Sequence, residues 1–62
     1  MAGPVNINTA TLDELDSLPG VGPVTAQAIV AGRPYAQIED LLQVEGIGEA
    51  KLAKLKPYVT VR

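Results

Sequence analysis

The sequence predicts a small all-α domain made of two similar helical units, and three observations lead to this prediction. A shift of 26 residues superimposes two segments of the chain, setting Leu15 on Leu41 and Gly20 on Gly46. Signals for the start and end of helices lie at matching places in both segments. Aromatic residues make up 3% of the 62 residues and hydrophobic residues 47%, so the core is expected to be aliphatic.

The first helical unit is predicted over residues 11–31. Thr11 and Glu14 have the spacing of a capping box, in which each side chain accepts a hydrogen bond from the other residue's backbone amide. Pro19-Gly20 ends this helix. Pro23 suits the first turn of the next helix, because an amide proton is not needed there.

The second unit is predicted over residues 37–56, after a connector at residues 32–36. Its first helix covers about Gln37 to Val44, and we expect the start to fray since glutamine is a poor capping residue. A turn at Gly46-Ile47-Gly48 leads into its second helix, over Glu49–Lys56. Each unit therefore consists of two helices joined by a short turn.

Two further segments complete the predicted domain, which covers residues 5–61. Val5 to Asn8 alternates between apolar and polar residues like a strand, but no partner strand of similar length is predicted. We therefore interpret it as an extended arm laid on the helices. Residues 58–61 are interpreted as a last turn or an extended tail, and residues 1–4 as a tail outside the domain.

Composition excludes several kinds of site. The chain has no cysteine and no histidine, which excludes disulfides, Cys or His zinc sites, thiol nucleophiles and imidazole acid–base chemistry. Paired acids such as Asp13-Glu14 lie in the first turn of a predicted helix, where they stabilise the helix dipole. We expect no catalytic residues, no metal, no cofactor and no small-molecule substrate, and hence a protein that is not an enzyme.

Charge is unevenly distributed along the chain. The formal net charge of −2 gives no support for nucleic-acid binding by bulk charge. All five basic residues nevertheless lie in the second half of the chain: Arg33, Lys51, Lys54, Lys56 and Arg62. An acidic chain thus carries a basic C-terminal end.

Two Gly-x-Gly turns are the strongest candidates for a site, at Gly20-Val21-Gly22 and Gly46-Ile47-Gly48. Glycine in such turns can simply allow positive φ or close helix packing, and for Gly20 and Gly46 alone we favour that explanation. A turn that leads directly into a helix also presents backbone amides at the positive end of the helix dipole, where phosphate binds. Two such turns at a fixed separation suit a polymer of phosphates.

The pattern Leu15-x-x-Leu18-Pro19-Gly20-Val21-Gly22-x-x-x-Ala26-x-x-Ile29 resembles the helix-hairpin-helix motif, and residues 41–55 resemble a second copy. With the opening Val5-Asn6-Ile7-Asn8-Thr9-Ala10, the chain is similar to the DNA-binding domain of the competence protein ComEA family. This resemblance implies a tandem helix-hairpin-helix fold, which is a small, SAM-domain-like helical domain.

The resemblance also implies sequence-independent binding of double-stranded DNA, in which each hairpin binds a backbone phosphate on the minor-groove side. The family often has lysine three residues after the second glycine, a place taken by Lys51 here and by Thr25 in the first copy. The DNA-binding residues it implies are Gly20, Val21, Gly22, Thr25, Gly46, Ile47, Gly48, Lys51 and Lys54. Glu45 and Glu49 flank the second turn and should weaken binding, which predicts a modest, salt-sensitive affinity.

The family's role implies an extracytoplasmic DNA receptor for natural transformation, periplasmic or anchored on the outer face of a membrane. Other components of a DNA-uptake machinery are then possible partners. An alternative is a protein–protein interaction module with the same fold and no DNA binding, which the acidic charge balance favours. A nuclease or glycosylase fragment is a further alternative, but this chain would lack the catalytic part.

Overall fold

The computed structural model describes residues 4–61, and this part of the chain contains three α-helices, two 3₁₀ helices and two short strands. In chain order they are β1 (Val5–Asn6), α1 (Leu12–Asp16), α2 (Pro23–Ala31), a first 3₁₀ helix (Ile38–Gln43), α3 (Glu49–Leu55), a second 3₁₀ helix (Lys56–Tyr58) and β2 (Val59–Thr60). The predicted all-α fold is confirmed. The predicted tail, apart from Pro4, and Arg62 of the basic end lie outside the described residues.

The start of α1 is fixed as the sequence predicts. Glu14 N–H donates to Thr11 Oγ1 over 3.2 Å, and Thr11 N–H donates to Glu14 Oε1 over 2.8 Å. At the other end, the Ser17 hydroxyl donates to the Glu14 carbonyl over 2.6 Å. Side chains therefore stabilise both ends of a helix of only five residues.

The 26-residue repeat forms most of the core. Equivalent positions of the two halves are all buried, as Leu15 and Leu41, Leu18 and Val44, Val21 and Ile47, Ala26 and Leu52, and Ile29 and Leu55. Tyr35 is the one aromatic side chain in the described core, which is otherwise aliphatic as predicted. The two halves thus turn the same positions inward, as expected of a duplicated unit.

The helix predicted over about Gln37 to Val44 is present as a 3₁₀ helix over Ile38–Gln43. The carbonyl–amide bonds here join residues three apart, with Asp40 N–H donating to the Gln37 carbonyl over 3.0 Å and Val44 N–H to the Leu41 carbonyl over 2.9 Å. A 3₁₀ helix has three residues per turn, so Leu41 and Val44 share one buried face.

Contacts at the start of this helix oppose the fraying predicted at Gln37. The carboxylate of Asp40 accepts hydrogen bonds from the amide of Ala36 over 3.0 Å and from the amide of Gln37 over 3.3 Å. The start of the helix is therefore capped from within by an acid, and the capping ability of the glutamine side chain does not decide its stability.

The N-terminal arm has a partner strand, contrary to the prediction. β1 pairs in parallel with β2, with Val5 opposite Val59 and Asn6 opposite Thr60. The ladder continues where Ile7 N–H donates to the Thr60 carbonyl over 3.0 Å. Val5 and Val59 are both buried, so the pairing adds the two ends of the described chain to the core.

Polar contacts bind the connector between the halves to the arm. Arg33 Nε donates to the Ile7 carbonyl over 2.7 Å, and Arg33 Nη2 donates to the Ala10 carbonyl. Asn8 Nδ2 donates to the Tyr35 carbonyl over 2.9 Å, and Tyr35 N–H donates back to Asn8 Oδ1 over 2.6 Å. Side chains therefore fix the path of the chain between the two halves.

Candidate nucleic-acid interface

The two Gly-x-Gly turns have the same backbone geometry. Gly20 and Gly46 have positive φ angles of 78° and 96°, the conformation for which glycine is needed in such turns. Gly22 and Gly48 are the N-caps of α2 and α3, with φ of −103° at both and ψ of −175° and −176°. The structure therefore presents the same junction between a turn and a helix twice.

Val21 and Ile47, which lie between the glycines, anchor the turns to the core. Both side chains are buried, and their amides donate to the carbonyls of Leu18 and Val44, each over 3.1 Å. These two predicted site residues consequently position the turns. Neither their side chains nor their amides are open to a ligand.

The first amides of α2 and α3 have no acceptor within their helices. Ala26 is the first residue of α2 to donate to a helical carbonyl, that of Gly22 over 2.8 Å, and Leu52 does the same to Gly48 in α3 over 2.9 Å. The amides before these two residues lie at the positive end of the helix dipole. In α2 one of them is missing, because Pro23 has no amide proton. Each junction can therefore bind a negatively charged oxygen.

Nothing within the described fold requires glycine at Gly22 or Gly48. Their backbone angles are open to any residue, and a methyl group on either Cα would meet no described atom within 4 Å. Gly32 is different, because a methyl group there would lie 2.6 Å from Tyr35 Oη. Glycine at Gly22 and Gly48 instead matters for ligand binding, because the neighbouring amides stay uncovered and a ligand can approach them closely.

A groove of about 400 Å³ joins the two turns. It is lined by Pro19, Gly20, Gly46, Gly48, Ala50, Lys51 and Lys54. Predicted site residues from both halves of the sequence therefore meet on one surface. Gly22 and Thr25 are not among the residues that line the groove.

Side chains from each half cross to the turn of the other half. A methyl group on Gly20 would lie 3.4 Å from Lys51 Cε, and one on Gly46 would lie 3.3 Å from Thr25 Oγ1. Because Gly20 is equivalent to Gly46 and Thr25 to Lys51, the two contacts are reciprocal, as an approximate two-fold relation requires. Lys51 thus lies beside the first turn, although it follows the second turn in sequence.

No ion pair within residues 4–61 neutralises Lys51 or Lys54. The one ion pair in this part of the chain joins Lys56 Nζ to Glu39 Oε2 over 3.5 Å, and about half of each side chain is exposed. An exposed pair of this kind contributes at most about 1 kcal/mol to stability. The two lysines of the groove are therefore available to an external anion.

Tyr35 anchors the connector to α2, and burial shifts the pKa of its hydroxyl. Its hydroxyl donates to the Ile29 carbonyl over 2.7 Å in a buried position. Burial raises the pKa of the Tyr35 hydroxyl above its ordinary value of 10.0, and the charge of Arg33 opposes the shift. Sequence reasoning does not find this contact, because it depends on how the connector folds back onto α2.

The part of the chain that the structure describes holds no group of three or more His, Cys, Asp or Glu side chains placed to bind a metal ion. Its helices are also too short and too polar for any of them to cross a bilayer.

The duplicated junction between turn and helix defines the class of protein. Over residues 2–60 the chain matches the family described as the helix-hairpin-helix motif, and it belongs to that family. The resemblance stated from the two Gly-x-Gly patterns is therefore confirmed.

Named relatives contain this domain within longer chains. The chain is 50% identical to ComE operon protein 1 of Bacillus subtilis (strain 168), over 94% of this chain and 30% of that protein. It is 40% identical to a deoxyribonuclease of Thioalkalivibrio sp. (strain K90mix), over 89% of this chain and 15% of that protein. It is 46% identical to the human endonuclease/exonuclease/phosphatase family domain-containing protein 1, over 92% of this chain and 11% of that protein. The chain thus spans less than a third of the length of these relatives.

Proposed function

We propose that this chain binds double-stranded DNA without sequence preference, through backbone phosphates at its two junctions between turn and helix. The observation that carries the proposal is the bare Cα of Gly22 and Gly48, which no internal contact or backbone angle explains. Membership of the helix-hairpin-helix family and the identity to ComE operon protein 1 support it.

Binding would proceed through charge and fixed amide donors. The uncovered amides of α2 and α3 donate to phosphate oxygens, and the positive ends of both helix dipoles favour the negative charge. Lys51 and Lys54 of the groove add positive charge near the same oxygens. Because residues of both turns line one groove, we propose that the two junctions bind phosphates of the two strands across the minor groove.

The same contacts predict the specificity and the salt dependence of binding. Contacts to phosphate carry no sequence information, so all duplexes of equal length should bind alike. Glu45 and Glu49 are exposed beside the second turn and should lower the affinity. With about 2–4 phosphates neutralised, the slope of log K against log salt should be about −2 to −4.

Fluorescence anisotropy of a labelled duplex of arbitrary sequence, measured at two salt concentrations, tests the proposal. The informative variant is Gly22→Asp with Gly48→Asp, because open space and ordinary backbone angles accept aspartate at both caps. Aspartate is a good N-cap, so the variant should stay folded while its carboxylates occupy the amides. The matched control is Gly22→Asn with Gly48→Asn, which adds side chains of similar size without charge.

We expect salt-sensitive binding by the parent, weaker binding by the asparagine variant and no measurable binding by the folded aspartate variant. Absence of binding by the parent at low salt contradicts the proposal. Binding by the aspartate variant as tight as that of the parent also contradicts it.

We further propose that the chain is the DNA-binding part of an extracytoplasmic receptor for DNA uptake in natural transformation. The identity to ComE operon protein 1 supports this role, and other components of the uptake machinery would be its partners. Cell fractionation followed by a transformation assay on a deletion strain tests the location and the role together. A cytoplasmic location or unchanged transformation would contradict this part of the proposal.

We propose that the domain is a binding module without catalytic activity of its own. The relatives named as nucleases match it over only 15% and 11% of their lengths. Incubating the chain with duplex DNA and magnesium should leave the DNA intact. Cleavage that follows the purified protein through successive columns would overturn this proposal.

A protein–protein interaction module is the second candidate function, and two grooves other than the one between the turns favour it. Leu12, Asp13 and Asp16 contribute to one groove, and Leu42 with Glu49 contributes to its equivalent in the other half. Leu12 and Leu42 are 47% and 39% exposed, so each groove offers a partner an apolar side chain beside acidic groups. If the chain binds no DNA but binds a protein in a salt-insensitive way, this function replaces the first.

A further inference from the structure

The side chain of Lys51 runs along Gly20 of the first turn. A methyl group on Gly20 would lie 3.8 Å from Lys51 Cγ, 3.7 Å from Cδ and 3.4 Å from Cε. Cε makes the closest approach, so the ammonium group, one bond beyond Cε, lies beside the first turn.

The first half has no basic residue of its own for a phosphate. No lysine or arginine precedes Arg33 in the sequence, and Arg33 donates to the carbonyls of Ile7 and Ala10. Pro23 also removes one amide from the start of α2. Lys51, from the second half, does contact the first turn.

The two turns differ in the charges around them. Glu45 and Glu49 flank the second turn and are exposed, whereas Pro19 and Pro23 flank the first turn and carry no charge. Near the second turn, carboxylates offset the field of a cation. Near the first turn, the field of a cation acts on a phosphate with no acidic neighbour in the turn.

Each half extends a side chain to the turn of the other half, so this arrangement is a property of the fold. Thr25 Oγ1 lies 3.3 Å from the position of a methyl group on Gly46, in the contact equivalent to that of Lys51 with Gly20. Thr25 and Lys51 each follow the second glycine of their own turn by three residues. A side chain from the opposite half therefore contacts each turn.

From these contacts we infer that Lys51 supplies the positive charge for the phosphate bound at the first turn and not for the one at its own, second turn. The inference rests on the proposed DNA binding and names the residue that links the two turns. Lys51 thus extends from the second half of the domain to the first turn, where its charge helps to position the bound phosphate. Loss of that charge should affect the first turn selectively.

A double-mutant cycle measured by fluorescence anisotropy at low salt tests the inference. Lys51→Met removes the charge and keeps an unbranched side chain, and it is made in the parent, in Gly22→Asn and in Gly48→Asn. Asparagine covers the amides of one turn without adding a carboxylate that would pair with Lys51. Lys56→Met is the matched control, because Lys56 pairs with Glu39 away from the groove.

We expect Lys51→Met to weaken binding by roughly threefold to tenfold in the parent and to reduce the salt slope by about 0.9. The same substitution should change binding less than about twofold in Gly22→Asn and keep its full effect in Gly48→Asn, since only the first turn uses the charge. Lys56→Met should change binding less than Lys51→Met does.

A second measurement needs neither of the asparagine variants. Duplex DNA is added to isotope-labelled protein, and the amide shifts of Val24 and Ala50 are compared between the parent and Lys51→Met. The shift at Val24, in α2, should shrink in the variant, while that at Ala50, in α3, should persist.

The outcomes separate the inference from the proposed function. No binding of duplex by the parent overturns both. Binding in which the effect of Lys51→Met disappears in Gly48→Asn, or is equal in both backgrounds, overturns the inference and leaves the proposed function standing. A loss of shift at Ala50 rather than Val24 overturns it in the same way.

Discussion

Gly46 and Gly48 lie two residues apart, and the structure predicts opposite responses to the same substitution at them. Gly46 has φ of 96°, which an L-residue rarely adopts, and a methyl group there would lie 3.3 Å from Thr25 Oγ1. Gly48 has φ of −103° and open space around its Cα. Gly46→Ala should therefore destabilise the domain, while Gly48→Ala should leave its stability nearly unchanged.

The magnitude of the difference follows from these two environments. A residue forced into a sparsely populated backbone region costs about 1–3 kcal/mol, and the tight contact with Thr25 places Gly46→Ala toward the upper end. At Gly48, the loss of a favoured cap residue and the reduced freedom of the unfolded chain are each below about 1 kcal/mol and oppose each other. A domain of this length has a total stability of about 3–9 kcal/mol, so Gly46→Ala removes a large part of it.

Urea unfolding followed by far-ultraviolet circular dichroism measures both variants against the parent. Gly46→Ala should lower the free energy of unfolding by about 1–3 kcal/mol, and thermal unfolding should show a drop of about 4–8 °C for each kcal/mol. Gly20→Ala should fall between the two, since its φ of 78° is less extreme and the neighbouring Lys51 side chain can move. Equal losses in Gly46→Ala and Gly48→Ala would refute the explanation from backbone angles.

Two further predictions concern Tyr35. Gly32→Ala places a methyl group 2.6 Å from Tyr35 Oη and breaks the buried bond to Ile29, so it should destabilise the domain by about 1–3 kcal/mol in urea unfolding. In a Tyr35→Phe background, where that oxygen is absent, the cost should be much smaller, and an undiminished cost would contradict the clash. The second prediction follows from the raised pKa of Tyr35. Its contribution to stability is complete below the unfolded pKa of about 10 and is lost as pH rises through the higher folded pKa. The parent should therefore lose more stability than Tyr35→Phe between about pH 9 and pH 11, and parallel losses would rule this out.

The parts of the fold that depend on local spacing could be predicted from the sequence. The 26-residue repeat predicts that Leu15 and Leu41 occupy equivalent places, and both are buried. The capping box at Thr11 forms because it needs only residues three apart. Positive φ at Gly20 follows equally from the local turn.

The parts that depend on distant contacts could not be predicted. β1 and β2 have two residues each and lie at opposite ends of the described chain, so neither carries a pattern that reveals the other. Lys51 has the sequence position of a residue for the second turn, yet it contacts Gly20 of the first turn. Both features follow from how the two halves pack, which no local spacing in the sequence records.

The parallel pairing of β1 with β2 has a mechanical consequence. The chain enters the domain along β1 and leaves it along β2 in the same direction, because Val5 lies opposite Val59 and Asn6 opposite Thr60. A pulling force applied through Pro4 and Val61 would act along the two strands. The interstrand hydrogen bonds would then be loaded together in shear and would not be peeled apart one after another. Tension applied at the two ends of the domain would load these hydrogen bonds before it loaded the helices next to the two turns.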